Sequence, residues 1–209
     1  MFAGPVKPNV LAKWAEVAPP QTIGLVAPFA FTHRQPPSGQ KLWPHDATTG
    51  DFRTANADVV AALREASVTL RARSIVFRSP ENFSPSAANR DQLKRFFSEV
   101  TFEIERVWVP GGLWDVRTAV KLAAELGVTV AFDPLVRDPA QPAELYEGLE
   151  AASLYFRIAG AGRAGAIRTE QLEDLAALIG HYEDLPLTVA FASPERWHDA
   201  RNLKKLLDG

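Results

Sequence analysis

Cysteine is absent from all 209 residues. That excludes disulfides, thiolate nucleophiles, iron–sulfur clusters and cysteine-held zinc, and an intracellular, cytoplasmic protein is the expectation that fits best. No apolar run approaches bilayer-spanning length. Nor does the start, Met1-Phe2-Ala3-Gly4-Pro5, join a basic stretch to an apolar one or offer a small-residue cleavage site, so no membrane contact is expected. A surplus of one charge is missing too. With 23 Lys and Arg against 25 Asp and Glu the formal net charge is -2, which lends no support to a nucleic-acid partner. Hairpin signals are also lacking, because no two apolar runs are joined by a tight turn.

What is present is a repeated alternation. Six short apolar runs, rich in β-branched residues, are each followed by a helical pattern, and this implies a parallel α/β fold. At this length, with 46% hydrophobic residues, a single domain covering residues 1–209 is expected. Asn9 is placed to cap a helix over Val10 to Val17, which Pro19-Pro20 would end. The first strand is expected at Thr22 to Val26. A long stretch without period, Pro28 to Arg53, then leads to a helix over Ala55 to Arg71 with Val59, Val60, Leu63, Ala66 and Leu70 as its buried stripe.

Strand two is expected at Ser74 to Phe77, followed by a helix starting at Ser86 or Asn89. Phe102 to Trp108 reads as strand three, Asp115 to Leu126 as a helix closed by Gly127, and Val128 to Phe132 as strand four. A short helix near Glu144 to Leu149, strand five at Ser153 to Ile158, a helix capped by Thr169 and running to Ile179, strand six at Leu187 to Phe191 and a last helix to Leu207 complete the chain. Parallel sheets of this kind place their chemistry at the carboxyl ends of the strands.

Several segments, in order, resemble the YecE-like proteins, a family built around domain of unknown function 72. They are Phe31-Thr32-His33, the run Ile75-Val76-Phe77-Arg78-Ser79-Pro80-Glu81-Asn82-Phe83-Ser84-Pro85, then Phe132-Asp133-Pro134 and Tyr155-Phe156-Arg157-Ile158-Ala159-Gly160. The resemblance implies a TIM-barrel-like fold, here incomplete with about six strands, since the first two of the family's barrel have no counterpart after Met1. Six strands cannot close an eight-stranded barrel, so the outer strands would need a homodimer, a paralogous partner or the long loop to cover them, or else the native chain starts upstream. It also implies altered chemistry. Val109 and Gly111 stand where the family pattern has Glu-x-Arg, Arg157-Ile158-Ala159-Gly160 replaces Arg-x-His-Gly, Phe191-Ala192-Ser193 replaces Phe-Asn-Asn, Val26 stands for a lysine and Arg78 for a glutamine.

On these grounds the chain reads as a non-catalytic or altered-activity paralogue acting as a binding or assembly subunit. The alternative is a small-molecule hydrolase or isomerase acting on an anionic or phosphorylated substrate. In that reading Asp133 and His33 transfer protons, while Arg78, Arg157 and the loop Gly160, Gly162, Arg163 hold the anion. Ser193 is a further ligand-binding candidate without the turn that marks a nucleophilic serine.

Gly160 to Gly165 spells G-x-G-x-x-G, yet its helix begins too late to face a pyrophosphate, so no dinucleotide cofactor is expected. His33, His45, Asp46 and Asp133 lack close metal-ligand spacing, so no metal is assigned. Asp133 equally suits a turn in which a carboxylate accepts nearby backbone amides. Trp43, Trp114 and Trp197 suit packing better than stacking on a ligand. The sequence names no cofactor and no substrate.

Overall fold

The structure, a computed structural model, describes residues 6–34, 51–53, 57–136, 146–159 and 165–209. Six parallel strands alternate with helices, as the apolar rhythm implied, and the backbone divides into two compact units. The first comprises Met1–Asp115 with Glu125–Val128, the second Val116–Ala124 with Thr129–Gly209.

In the first unit α1 (Pro8–Val17) precedes β1 (Gly24–Val26), α2 (Phe29–Thr32), α3 (Ala57–Thr69), β2 (Ser74–Arg78), α4 (Ala87–Glu99) and β3 (Glu105–Val109). The strands pair in chain order, with Leu25 opposite Ile75 and Phe77 opposite Trp108. Every residue of the expected α3 stripe is buried. Around β2 the core is aromatic. Phe77 meets Phe96 and Phe97 edge-on at 5.6 and 5.4 Å, Phe52 meets Phe96 at 5.2 Å, and Phe31 meets Phe96 at 5.9 Å. Such ring pairs contribute about 0.5 to 1.5 kcal/mol each beyond the area they bury. Trp108 and Trp114 pack edge-on at 4.9 Å and donate to Ser79 Oγ and the Phe83 carbonyl, which makes Trp114 a packing residue.

Two element ends of this unit depart clearly from the sequence reading. Asn9 lies inside α1, because Pro8, which has no N–H to lose, takes the first helical position after Lys7. Phe102 does not begin a strand; its ring lies against Phe77 and beneath the Arg64 guanidinium, and β3 starts at Glu105. Of the two expected starts, Ser86 and Asn89, it is Ser86 that caps α4, its Oγ accepting from the Asn89 amide at 3.2 Å.

The second unit holds β4 (Thr129–Phe132), β5 (Leu154–Ile158), α6 (Thr169–Gly180), β6 (Leu187–Phe191) and α7 (Arg196–Leu207). The helix α5 (Val116–Leu126) carries Val116, Ala119, Val120 and Ala123 as its buried face and ends at Gly127, whose φ of +63° suits glycine. Phe132 is opposite Phe156, and β5 pairs with β6 along the whole of Leu187–Phe191. Thr169 is the first residue of α6 rather than its cap, a place taken by Arg168 without a side-chain bond.

Of the expected helix near Glu144 to Leu149, the part from Tyr146 is a turn that reverses at Gly148, with φ +68°. It is pinned by Tyr182, whose hydroxyl accepts from the Leu149 amide at 3.1 Å and donates to the Tyr146 carbonyl. Among the described residues, no helix is long and apolar enough to cross a membrane.

Candidate ligand site at the strand carboxyl ends

The segments after β1 and β2 meet at one end of the first unit. Pro28 turns the chain from β1 into the single helical turn of α2, all four of whose residues are buried, so His33 is delivered to its end on a rigid base. The His33 Nδ1 and Thr32 Oγ1 are 2.7 Å apart. Burial, then the positive charge of Arg78 at the end of β2, hold the imidazole below its usual proton affinity, against a smaller opposing effect from Asp51.

His33, Arg34, Asp51, Pro80 and Asn82 line a cavity of about 330 Å³. Arg34 donates its Nε–H to Asp51, and its terminal N–H groups have no partner among the described residues. The carboxylate therefore orients the guanidinium by its inner edge and leaves the outer fork presented. The Asn82 side-chain amide has no partner among the described residues either. A guanidinium fork, an amide and an imidazole around one concavity, with Arg78 adding positive charge felt by His33, can hydrogen-bond a small anion.

The third strand end of this unit is shaped differently. Val109 has no ionisable group, and Gly111 has no room for one. A Cβ placed there would collide with the Pro80 carbonyl oxygen and lie 2.7 Å from the Pro80 carbonyl carbon and 2.8 Å from the Ser79 oxygen. The glycine is needed so that the chain after β3 can lie against the turn after β2, which itself supplies Pro80 and Asn82 to the cavity. The charge pair implied by the resemblance is thus replaced by backbone packing.

In the second unit the expected polar residues are present but occupied. Asp133 follows β4, and its Oδ1 accepts from the Leu135 amide at 3.1 Å while Oδ2 accepts from the Ala159 amide at 2.6 Å. It clasps the ends of β4 and β5 as a turn-forming aspartate would. Burial raises its proton affinity above the ordinary carboxylate range, outweighing those two amides and the nearby charge of Arg157. Ser193 is buried at 1% exposure and gives its hydroxyl hydrogen to Asp199 Oδ2 at 2.6 Å; the other oxygen of that fully buried aspartate accepts from the Ile167 amide at 3.0 Å.

A cavity of about 300 Å³ in this unit, lined in part by Leu135, Glu147, Asp174 and His181, includes none of Asp133, Arg157 and Ser193 and carries the opposite charge. His33 and Asp133, paired as acid and base in the sequence reading, lie in different units. Gly160, Gly162, Arg163, His45, Asp46 and Trp43 fall outside the described residues. Among the described residues no three His, Asp or Glu gather as a metal site.

Arg34, Asp51 and Asn82 were not singled out from the sequence. Arg34 directly follows the Phe-Thr-His motif, and Asn82 belongs to the run after β2, so position after a strand was the available signal. Asp199 could have been noticed because it sits four residues before Leu203 on the apolar side of its helix, where a carboxylate requires partners.

No family model matches the sequence, and no curated protein does. Two solved structures share its architecture. A DUF72 family protein from Enterococcus faecalis V583 superposes with a TM-score of 0.67 at 12% identity, over 100% of this chain and 82% of that one. A DUF72 family protein from Thermotoga maritima MSB8 gives 0.59 at 13% identity, over 89% of this chain and 73% of that one. The chain has the DUF72 fold. It is the family that the motifs after the strands resemble, and the likeness at this identity is one of fold, carrying no activity with it.

Proposed function

We propose that this DUF72-fold chain is a non-catalytic binding subunit that holds a small anionic molecule at the carboxyl ends of β1 and β2. The observation that carries the reading is the cavity lined by His33, Arg34 and Asn82, where Asp51 holds the guanidinium by Nε and Arg78 adds positive charge. Its place matches where parallel sheets bind ligands. The absence of turnover is supported by the state of the other candidates: both Asp133 oxygens accept backbone amides, Ser193 is closed into the core, and Gly111 leaves no space for a charged side chain.

Calorimetric titration with inorganic phosphate tests it. Phosphate binds the wild-type chain, Arg34→Ala weakens binding about tenfold, as expected for loss of a charge-assisted contact worth roughly 1.5 kcal/mol or more, Arg78→Ala weakens it by a smaller factor through loss of nearby charge, and Arg34→Lys restores only part, since an ammonium lacks the fork. A phosphate monoester competes and is recovered intact. Binding unaltered by both alanine variants removes the site, and hydrolysis of the ester that disappears in His33→Ala replaces the binding reading with an enzymatic one.

A further inference from the structure

The final strand carries information about a partner that is independent of the anion site. In a parallel ladder, alternate residues of an outer strand direct both backbone groups to the neighbour and the rest direct both away. At one end of β6 the Leu154 amide donates to the Pro186 carbonyl, and at the other the Ala192 amide donates to the Ile158 carbonyl. The even-numbered residues therefore face β5. Leu187, Val189 and Phe191 direct their N–H and C=O groups outward, where they have no partner among the described residues.

Nothing in β6 discourages another strand. All five residues are half-exposed, none is charged, and there is no proline or bulge within Leu187–Phe191, the devices by which sheet edges are normally protected. The other outer strand, β1, has only three residues and begins with glycine, so it offers a much poorer template.

We propose that β6 pairs antiparallel with β6 of a second copy, with the two-fold axis at Val189. The outward residues dictate this register. An antiparallel pair in which both groups are exchanged requires an outward residue opposite an outward residue. Centring on Val189 sets Val189 against its own copy and Leu187 against Phe191 in both directions, so every outward group of the three finds a partner. Any shift of register strands at least one of them at each end.

The same register suits the side chains. Leu187, Val189 and Phe191 share one face of the strand and meet as apolar cross-strand pairs, while Thr188 meets Ala190 on the other. A two-fold contact of this kind is closed, so it stops at a dimer.

Substitution at the two-fold axis tests the pairing without touching the rest of the sheet. Val189→Pro removes an outward N–H and leaves the bonds to β5 in place, so the subunit keeps its fold. Light scattering at tens of micromolar gives the wild-type chain twice the 22.9 kDa chain mass and Val189→Pro the single mass, with unchanged far-ultraviolet circular dichroism. Hydrogen exchange at Leu187, Val189 and Phe191 slows as protein concentration rises, whereas Thr188 and Ala190 are protected throughout. A second variant, Val189→Lys, gives the same single mass through charge repulsion. A wild-type monomer overturns the proposal and leaves the edge to a different chain; a dimer that survives both variants, or exchange at Leu187, Val189 and Phe191 that ignores concentration, also overturns it by placing the interface elsewhere.

Discussion

The two units use the same βα repeat to opposite ends. In the first, rings of Phe31, Phe52, Phe77, Phe96 and Phe97 lock the elements together, and the polar groups after β1 and β2 are released to line a cavity. In the second, single buried polar groups do the locking. Asp133 joins the ends of β4 and β5, Tyr182 pins the turn at Tyr146 to Leu149, and Asp199 ties Ser193 to the segment at Ile167. A residue type suited to chemistry thus becomes available for a ligand only where something else carries the structural load.

The largest effect that would sharpen this contrast is expected in the aromatic core. Phe77→Ala should cost about 3 to 5 kcal/mol in urea denaturation, the usual range for deleting a fully buried ring, whereas Asp199→Ala should cost about 1 to 3 kcal/mol by leaving the Ile167 amide and Ser193 hydroxyl unpaired. Equal losses from the two changes would erase the distinction between the ways the units are held.

Acidification should distinguish the units more gently and in opposite directions. His33 has its proton affinity lowered by folding, so the unfolded chain takes up its proton first. Stability from that group is intact above the ordinary imidazole range and falls as pH drops through that range towards the depressed folded value. Asp133 has its affinity raised, so it detracts from stability at neutral pH, and that penalty is relieved as pH falls through the raised folded value towards the ordinary carboxylate range. Denaturation midpoints measured across pH should lose the first slope in His33→Gln and the second in Asp133→Ala. A slope that persists in its own variant would assign it to another group.

How far the sequence could be read follows from the same contrast. Strand six was legible to the residue because Leu187 to Phe191 is apolar, β-branched in part and bounded by Pro186 and Ser193. The start of β3 was not, because Phe102 is as apolar as a strand residue and only the tertiary contact with Phe77 and Arg64 shows that it packs sideways. The fold was legible from the rhythm, and the importance of the strand ends from general topology. Whether Asp133 would be spent on backbone amides or left for a ligand was not, since a carboxylate after a strand suits both until its neighbours are in place.

The donors of the proposed anion site line the same cavity as His33, so the titration of that imidazole tests the proposal most directly. Following the His33 ring protons by NMR against pH, with and without inorganic phosphate, should give a midpoint below that of an ordinary histidine in the free chain and a rise when phosphate binds, because a neighbouring anion offsets the charge of Arg78 and favours the imidazolium. A midpoint that phosphate leaves unmoved, in a chain whose His33 resonances are otherwise native, would contradict the site.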